Sequence, residues 1–418
     1  MKKYFLLLPL LLALGACSDE ISVPEPDFPI DDPDWELNTT CNFSLDELET
    51  ASALETFNYN FLKEVAASNP TCDFCCSPLS AELYLSALAN GASGNTRNQM
   101  LKTLNVDDLE AINALNEKIM HCLPNDNRGS CVKISNIFWV ADHYVINPEF
   151  SSTVKTVFNG IVESVDFGNP ATVPTINKWV SRRSKGLIEK ILPGSWKEYA
   201  TLPMVSTNAI YFSGDWGTVF KPENTRTELF HAPGGDIKVN MMNMTYLTNY
   251  ASHEKFQYVC KSFAGSYNHI ELFLPADGVS LNELMDLLTP EVLDNLRPST
   301  YHVTLSLPAF KVENRISMPE IINNMGINVD ALDLSAMGLG TVSVITNQST
   351  SMKLNEQGVE FAVAYETPIG TAPIGPQPVY PSVTVKFDRP FIYHIRPANY
   401  NERPGVIMLA GAVVNPRI

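Results

Sequence analysis

The sequence predicts an α+β fold with large mixed or antiparallel β-sheets. Two observations lead to it. Apolar residues at helical spacing dominate the first half of the 418-residue chain, and strand-like runs dominate the second. Helices and strands are thus segregated, not alternated as βαβ units, which argues against a doubly wound parallel sheet. A hydrophobic fraction of 45% against 18% charged residues fits a globular chain with a sizeable core. No internal repeat divides it.

Positions 43–68 carry Leu45, Leu48, Ala51, Leu54, Phe57, Phe61 and Val65 at the spacing of an amphipathic helix, stopped by Asn69-Pro70. A short cysteine-rich strand follows. Ser77 then caps a second helix that Pro78 opens, because the missing proline N–H is harmless in a first turn. Helices are expected at 96–104, 107–122, 147–158 and 173–192, the last stopped by Pro193-Gly194, with strands at 132–140 and 161–166. A strong strand at 205–212 leads into mostly β structure at 228–232, 237–248, 255–263 and 269–274. Short helices fit 281–288, 291–296 and 319–325, a strand fits 302–311, and β runs at 383–387, 391–396 and 406–414 close the chain.

The stretch from Ser351 to Pro390 joins two dissimilar halves. Residues 351–356 alternate apolar and polar, and after Gly358 the alternation resumes with Val359, Phe361, Val363 and Tyr365 on one face. Then come Pro368, Pro373, Pro376, Pro378 and Pro381, and prolines remove ladder donors and fix φ. A strand-capable segment therefore runs into one that must stay a loop.

At the N-terminus, Lys2 and Lys3 precede an apolar run at 5–14 that is too short to span a bilayer and has the form of a signal-peptide core. It ends Leu14-Gly15-Ala16-Cys17, which resembles the lipobox of bacterial lipoproteins. That resemblance implies a signal peptide at 1–16, lipidation of Cys17 and, with Ser18 next, sorting to the outer membrane. Residues 17–41 read as an acidic, proline-rich tether, and 42–418 as the folded domain. An exported chain meets oxidising conditions. Cys122 and Cys131 flank a polar turn and are the best candidates for a bridge, and Cys41 is placed to reach Cys72 or Cys75. The net charge of −17 argues against nucleic acid or an anionic membrane surface as partner.

Enzyme chemistry finds no foothold. The chain has no G-x-S-x-G, H-E-x-x-H, phosphate-binding loop or dinucleotide fingerprint, and its histidines are scattered singly. Cys72-x-x-Cys75 lacks a second pair or a histidine at ligand spacing, so a structural role is expected and no metal or cofactor is implied.

Several separated motifs resemble the serpin family in the right order over about 43–416. They are Ser77-Pro78-Leu79-Ser80 with Gly91-Ala92-Ser93-Gly94-Asn95-Thr96, Ile176-Asn177-Lys178-Trp179-Val180, and Asn208 through Trp216 with Phe220. Leu307-Pro308-Ala309-Phe310, Phe387-Asp388-Arg389-Pro390-Phe391 and Gly411 to Pro416 complete the set. The resemblance implies helices packed on three β-sheets, with an exposed reactive loop at about 358–382. It implies a monomeric inhibitor, not an enzyme, that traps a serine or cysteine endopeptidase when the cut loop enters the main sheet.

Carried over residue by residue, the family's hinge falls on Glu356, Gly358, Val359 and Phe361, and its shutter cluster on Ser77, Ser80, Asn208 and Gln348. Gln348 stands where the family usually has histidine, and Phe361 where it favours a small residue. Counting along the loop puts the reactive bond at Thr371, Ala372 and Pro373. No Arg or Lys lies between Lys353 and Lys386, so targets of small or aliphatic specificity, elastase-like or subtilisin-like, are expected rather than trypsin-like ones. The alternative is a serpin-fold binding or structural protein whose loop is only a substrate.

Overall fold

A computed structural model describes residues 43–122, 130–183, 190–265, 268–359, 379–397 and 406–417. The N-terminal half is mainly helical: α1 (Leu45–Ser68), a short β1 (Phe74–Cys76), α2 (Pro78–Gly91), α3 (Gly94–Leu104) and α4 (Leu109–Cys122). Then β2 (Ser130–Ala141), α5 (Pro148–Phe158), β3 (Ile161–Val165) and α6 (Thr172–Arg183) lead to β4 (Met204–Asp215). The strands β5 (Arg226–Ala232), β6 (Gly235–His253), β7 (Phe256–Ser262) and β8 (Asn268–Pro275) follow as hairpins, before the short helices α7 (Leu281–Leu287) and α8 (Pro290–Asn295). The chain continues through β9 (Ser299–Pro308), β10 (Phe310–Ser317), α9 (Met318–Asn324), β11 (Leu332–Asp333) and β12 (Thr341–Val342). It closes with β13 (Ile345–Leu354), β14 (Gly358–Val359), β15 (Ser382–Lys386), β16 (Phe391–Pro397) and β17 (Leu409–Val413).

The described strands form three sheets. A nine-stranded sheet runs β1-β17-β16-β8-β7-β6-β9-β15 with β5 added to β6, a six-stranded sheet runs β10-β13-β14-β4-β2-β3, and β11 pairs with β12. Local chemistry starts the helices as expected. Ser44 and Glu47 form a reciprocal capping box at α1, and the Ser77 hydroxyl accepts the Ser80 N–H with Pro78 inside the first turn of α2. Helix α2 is buried on every side, so its apolar residues carry no clear stripe. It is the post against which the six-stranded sheet and the surrounding helices pack.

Four expectations need correction. The helix expected to reach Leu192 ends at Arg183 among the described residues; Leu192 instead docks back, its N–H and carbonyl both bonded to the Asn177 side chain at 2.8 and 2.7 Å. The strand expected at 302–311 is two strands in different sheets, because Pro308 has no ladder donor and the Ala309 N–H turns to the Asn240 carbonyl. The strand expected at 351–356 begins six residues earlier, at Ile345, and ends at Leu354, where Asn355 makes a side-chain turn to Gln357 and Gly358.

The fourth concerns the cysteines. Cys122 is disulfide-bonded, but Cys131 is a buried thiol, as are Cys75 and Cys76, and Cys72 is an exposed thiol. Strand alternation is the reason for Cys131: Val132 and Ile134 face the main core, so Cys131 points to the opposite side of β2. Neither the Cys122–Cys131 bridge nor one from Cys41 to Cys72 or Cys75 exists.

One acid lies inside the helical layer. Glu82 of α2 is fully buried, its Oε1 accepting from Ser86 and Asn116 at 2.8 Å each. Its Oε2 and the Asn116 Oδ1 have no other partner, which suits a carboxyl that keeps its proton. Burial pushes its pKa from 4.5 up to about 7, against the pull of Asn116 and Ser86. Between those values the folded state binds a proton that the unfolded state has lost. Stability is therefore fullest below the unfolded pKa and falls as pH rises through about 7, by up to about 3 kcal/mol. Glu82→Gln should abolish that slope and raise the urea midpoint at pH 8 above that of the parent, as read by circular dichroism at pH 4.5, 6 and 8.

Candidate functional site

The feature that sets the six-stranded sheet apart is a seam that is half closed. β4 and β13 run parallel and pair directly from Val205↔Ile345 to Ala209↔Ser349. Beyond those residues they part, and β14 is wedged between their far ends. Val359 pairs antiparallel with Leu354 on one side and with Gly214 on the other, and Gly358 pairs with Asp215. A glycine is needed there by space: a Cβ on Gly358 would stand 2.1 Å from the Gly214 carbonyl oxygen and 2.9 Å from the Asp215 Cα. Val359 is fully buried.

The chain just before β14 is gripped by the segment that follows β4. The Trp216 N–H donates to the Gln357 carbonyl at 2.8 Å, its indole Nε1–H to the Asn355 carbonyl at 2.9 Å, and the Phe220 N–H to the Glu356 carbonyl at 3.0 Å. The Thr225 hydroxyl donates to Glu356 Oε1 at 2.8 Å. Phe263 stacks on Trp216 with ring centroids 5.0 Å apart.

Under the closed half of the seam lies a buried polar cluster. Gln348 of β13 accepts the Ser77 N–H at 2.8 Å and donates Nε2–H to the Ser77 carbonyl at 2.9 Å. The Ser77 hydroxyl donates to the Met408 carbonyl, and the Ser80 hydroxyl donates to Asn208 Oδ1, both at 2.6 Å. The Asn208 Nδ2 group returns to the Ser80 carbonyl at 2.9 Å and also bonds Asn136 of β2. One step along, Thr346, Tyr84 and Ser206 share hydroxyl contacts of 2.6 Å. Four elements thus meet through side chains with no access to water, where each unmade bond costs about 1–3 kcal/mol.

The fold brings together Ser77, Ser80, Asn208 and Gln348, expected from sequence at one place, and seats Glu356, Gly358 and Val359 at the mouth of the seam. Cys17, Phe361, Thr371, Ala372 and Pro373 lie outside the described residues. Sequence reading did not assign roles to Asn136, Thr225 or Lys261. Lys261 carried little signal, being a charge near the end of β7, just before Ser262. Asn136 carried none, because its partner is far away in sequence. Among the described residues no cluster of three or more His, Cys, Asp and Glu side chains could hold a metal.

Helices on three sheets, with a two-residue hinge wedged into a half-open main sheet, define a serpin fold. The chain belongs to the serpin family: the family model described as Serpin (serine protease inhibitor) matches residues 52–416. It is 26% identical, over the full length of both chains, to an uncharacterized serpin-like protein of Thermococcus kodakarensis. It is 30% identical to serine protease inhibitor 42Dd of Drosophila melanogaster over 81% of this chain and 90% of that one. Among solved structures, the native state of the thermophilic serpin tengpin superposes with a TM-score of 0.76 at 26% identity, over 90% and 97% of the two chains. Human thyroxine-binding globulin, complexed with its hormone, superposes with a TM-score of 0.78 at 20% identity over 89% and 100%, a likeness of fold alone. Serpins in general are protease inhibitors.

Gly358→Val should drive β14 out from between β4 and β13, since the new side chain meets backbone on the β4 side. Hydrogen exchange at Gly214 and Trp216, whose N–H groups face β14, should rise by at least about tenfold, while the pairs at Val205–Ala209 stay protected.

Proposed function

We propose that this chain is a suicide inhibitor of serine endopeptidases, with cysteine endopeptidases of similar taste as further targets. The loop after Val359 is the bait, and cleavage lets its first half enter the seam between β4 and β13 while the protease is still acylated. The observation that carries this reading is the position of Gly358–Val359: bonded to both strands, antiparallel to both, and aimed into the seam. Parting β4 from β13 removes one parallel ladder, and the entering strand replaces it with two antiparallel ones. At roughly 1 kcal/mol net per hydrogen bond, that exchange favours insertion.

Extending the observed register predicts the partners of the entering residues. Phe361 falls between Met352 and Phe212, Val363 between Thr350 and Ile210, and Tyr365 between Gln348 and Asn208. Pro368 falls between Ile345 and Val205, at the end of the seam, where a missing ladder donor is tolerated. Phe361 is the demanding residue, because Met352 and Phe212 already fill the inner face. That crowding favours the second reading, a serpin-fold binding or structural protein whose loop is cut without trapping anything. The two diverge on whether entry outpaces deacylation.

In this proposal the reactive bond lies at Thr371, Ala372 and Pro373, and the target accepts small or aliphatic residues, as elastase-like and subtilisin-like enzymes do. Residues 1–16 are a lipoprotein signal peptide, Cys17 carries the lipid, 17–41 tether the domain 42–418, and the protein acts at the bacterial outer membrane.

Incubation with an elastase-like protease should give a complex that survives boiling in detergent, and the loop-cleaved protein should melt far above the intact one. A cut protein with an unchanged melting temperature and no complex would leave the substrate-only reading standing. Cys17→Ala should shift the protein from the membrane fraction to the soluble or unprocessed one; unchanged fractionation overturns the anchor.

A further inference from the structure

Beside the hinge lies a lysine that the seam itself does not use. Lys261 of β7 is only 1% exposed. Its ammonium sits 4.9 Å from the Trp216 ring centroid, 4.9 Å from Phe220 and 4.5 Å from Tyr246, so three aromatic faces surround it. It donates to the Thr218 carbonyl at 2.6 Å and touches the Met244 sulfur at 3.3 Å. Burial pushes its pKa down, to about 7. No carboxylate pairs with it among the described residues, so the rings and the carbonyl are what compensate its desolvation.

The place of this cage gives it a role. Thr218 lies in the turn between Trp216 and Phe220, whose N–H groups hold the Gln357 and Glu356 carbonyls. Val219 in that turn is exposed, whereas Trp216 and Phe220 at its ends are buried and the Gly217 N–H bonds the Ser262 carbonyl at 3.0 Å. Lys261 fixes it from beneath, by its carbonyl at the centre and by its two rings at the ends.

We propose that Lys261 is a positioning residue for the inhibitory reaction: its caged ammonium shapes the Trp216–Phe220 clamp that aims Gly358–Val359 into the seam. The effect on trapping rests on the inhibitory reading above, whereas the clamp does not depend on it. A cation is required, not merely an apolar stem. The cage would be filled nearly as well by methionine, but methionine cannot donate to Thr218 and meets the ring faces without a positive charge.

The test compares the parent with Lys261→Met and Lys261→Arg in the full-length protein. Hydrogen exchange at the Trp216 and Phe220 amides should speed up by about tenfold in Lys261→Met and return toward the parent in Lys261→Arg. The Val205–Ala209 amides should stay unchanged in both variants, which separates a loosened clamp from general destabilisation. With an elastase-like protease, the fraction of cleaved chains recovered as covalent complex should fall several-fold in Lys261→Met and recover in Lys261→Arg. Parent-like exchange in Lys261→Met, or equal acceleration at Val205–Ala209, overturns the proposal. A local acceleration in a protein whose parent never forms complexes upholds the clamp and sinks the inhibitory reading instead.

Discussion

The half-closed seam between β4 and β13 is the constraint on which the rest of the structure depends. Two neighbouring parallel strands pair for part of their length and then diverge, and buried backbone groups must find partners somewhere. At the mouth, β14 supplies them on both sides. Over residues 347–354 β13 also leans on β10, from Phe310↔Leu354 to Ser317↔Asn347. The outer flank of β13 is therefore fixed while its inner flank is divided between β4 and the hinge. In the proposed mechanism, that divided inner flank is where the cut loop would enter.

The closed half of the seam is lined by chemistry of a particular kind. An apolar seam would be held by area and would yield gradually; a polar one is held by directional bonds that must break together. Gln348 suits this because its amide both accepts from and donates to Ser77, a reciprocal pair that ties β13 to the start of α2. A neutral amide also carries no charge to titrate at this point. Two other buried titratable groups stand nearby, Lys261 below the Trp216–Phe220 turn and Glu82 deeper in α2.

The hinge clamp shows how the two large sheets are coupled. Trp216 and Phe220 follow β4 of the six-stranded sheet, whereas Lys261 and Phe263 belong to or follow β7 of the nine-stranded one. Aromatic faces and a buried ammonium join them beside two backbone bonds, from the Gly217 N–H to the Ser262 carbonyl and from the Ala264 N–H to the Asp215 carbonyl, at 3.0 and 2.7 Å. The chain between Asn355 and Gly358 is short and turned on itself by the Asn355 side chain, so small changes in the clamp translate directly into the direction of Val359.

Much of this was legible in the sequence, for a definite reason. Helix periodicity and the Ser77-Pro78 start of α2 are local signals, written within a few residues of where they act. They determined the fold class and most of the helices, and the ordered motifs that resemble serpins pointed to the four polar residues of the cluster. The buried stretch Thr346–Ser351 hid its strand, because polar residues that face a polar cluster do not alternate with apolar ones. Likewise Cys131 has the right spacing for a bridge to Cys122 and the wrong side of a strand. Only the tertiary structure decided that β4 and β13 part where β14 enters, that Asn136 closes the cluster, and that Lys261 sits under the hinge. Those facts depend on contacts between residues tens to hundreds of positions apart, and no local pattern records which distant partner will satisfy a buried donor.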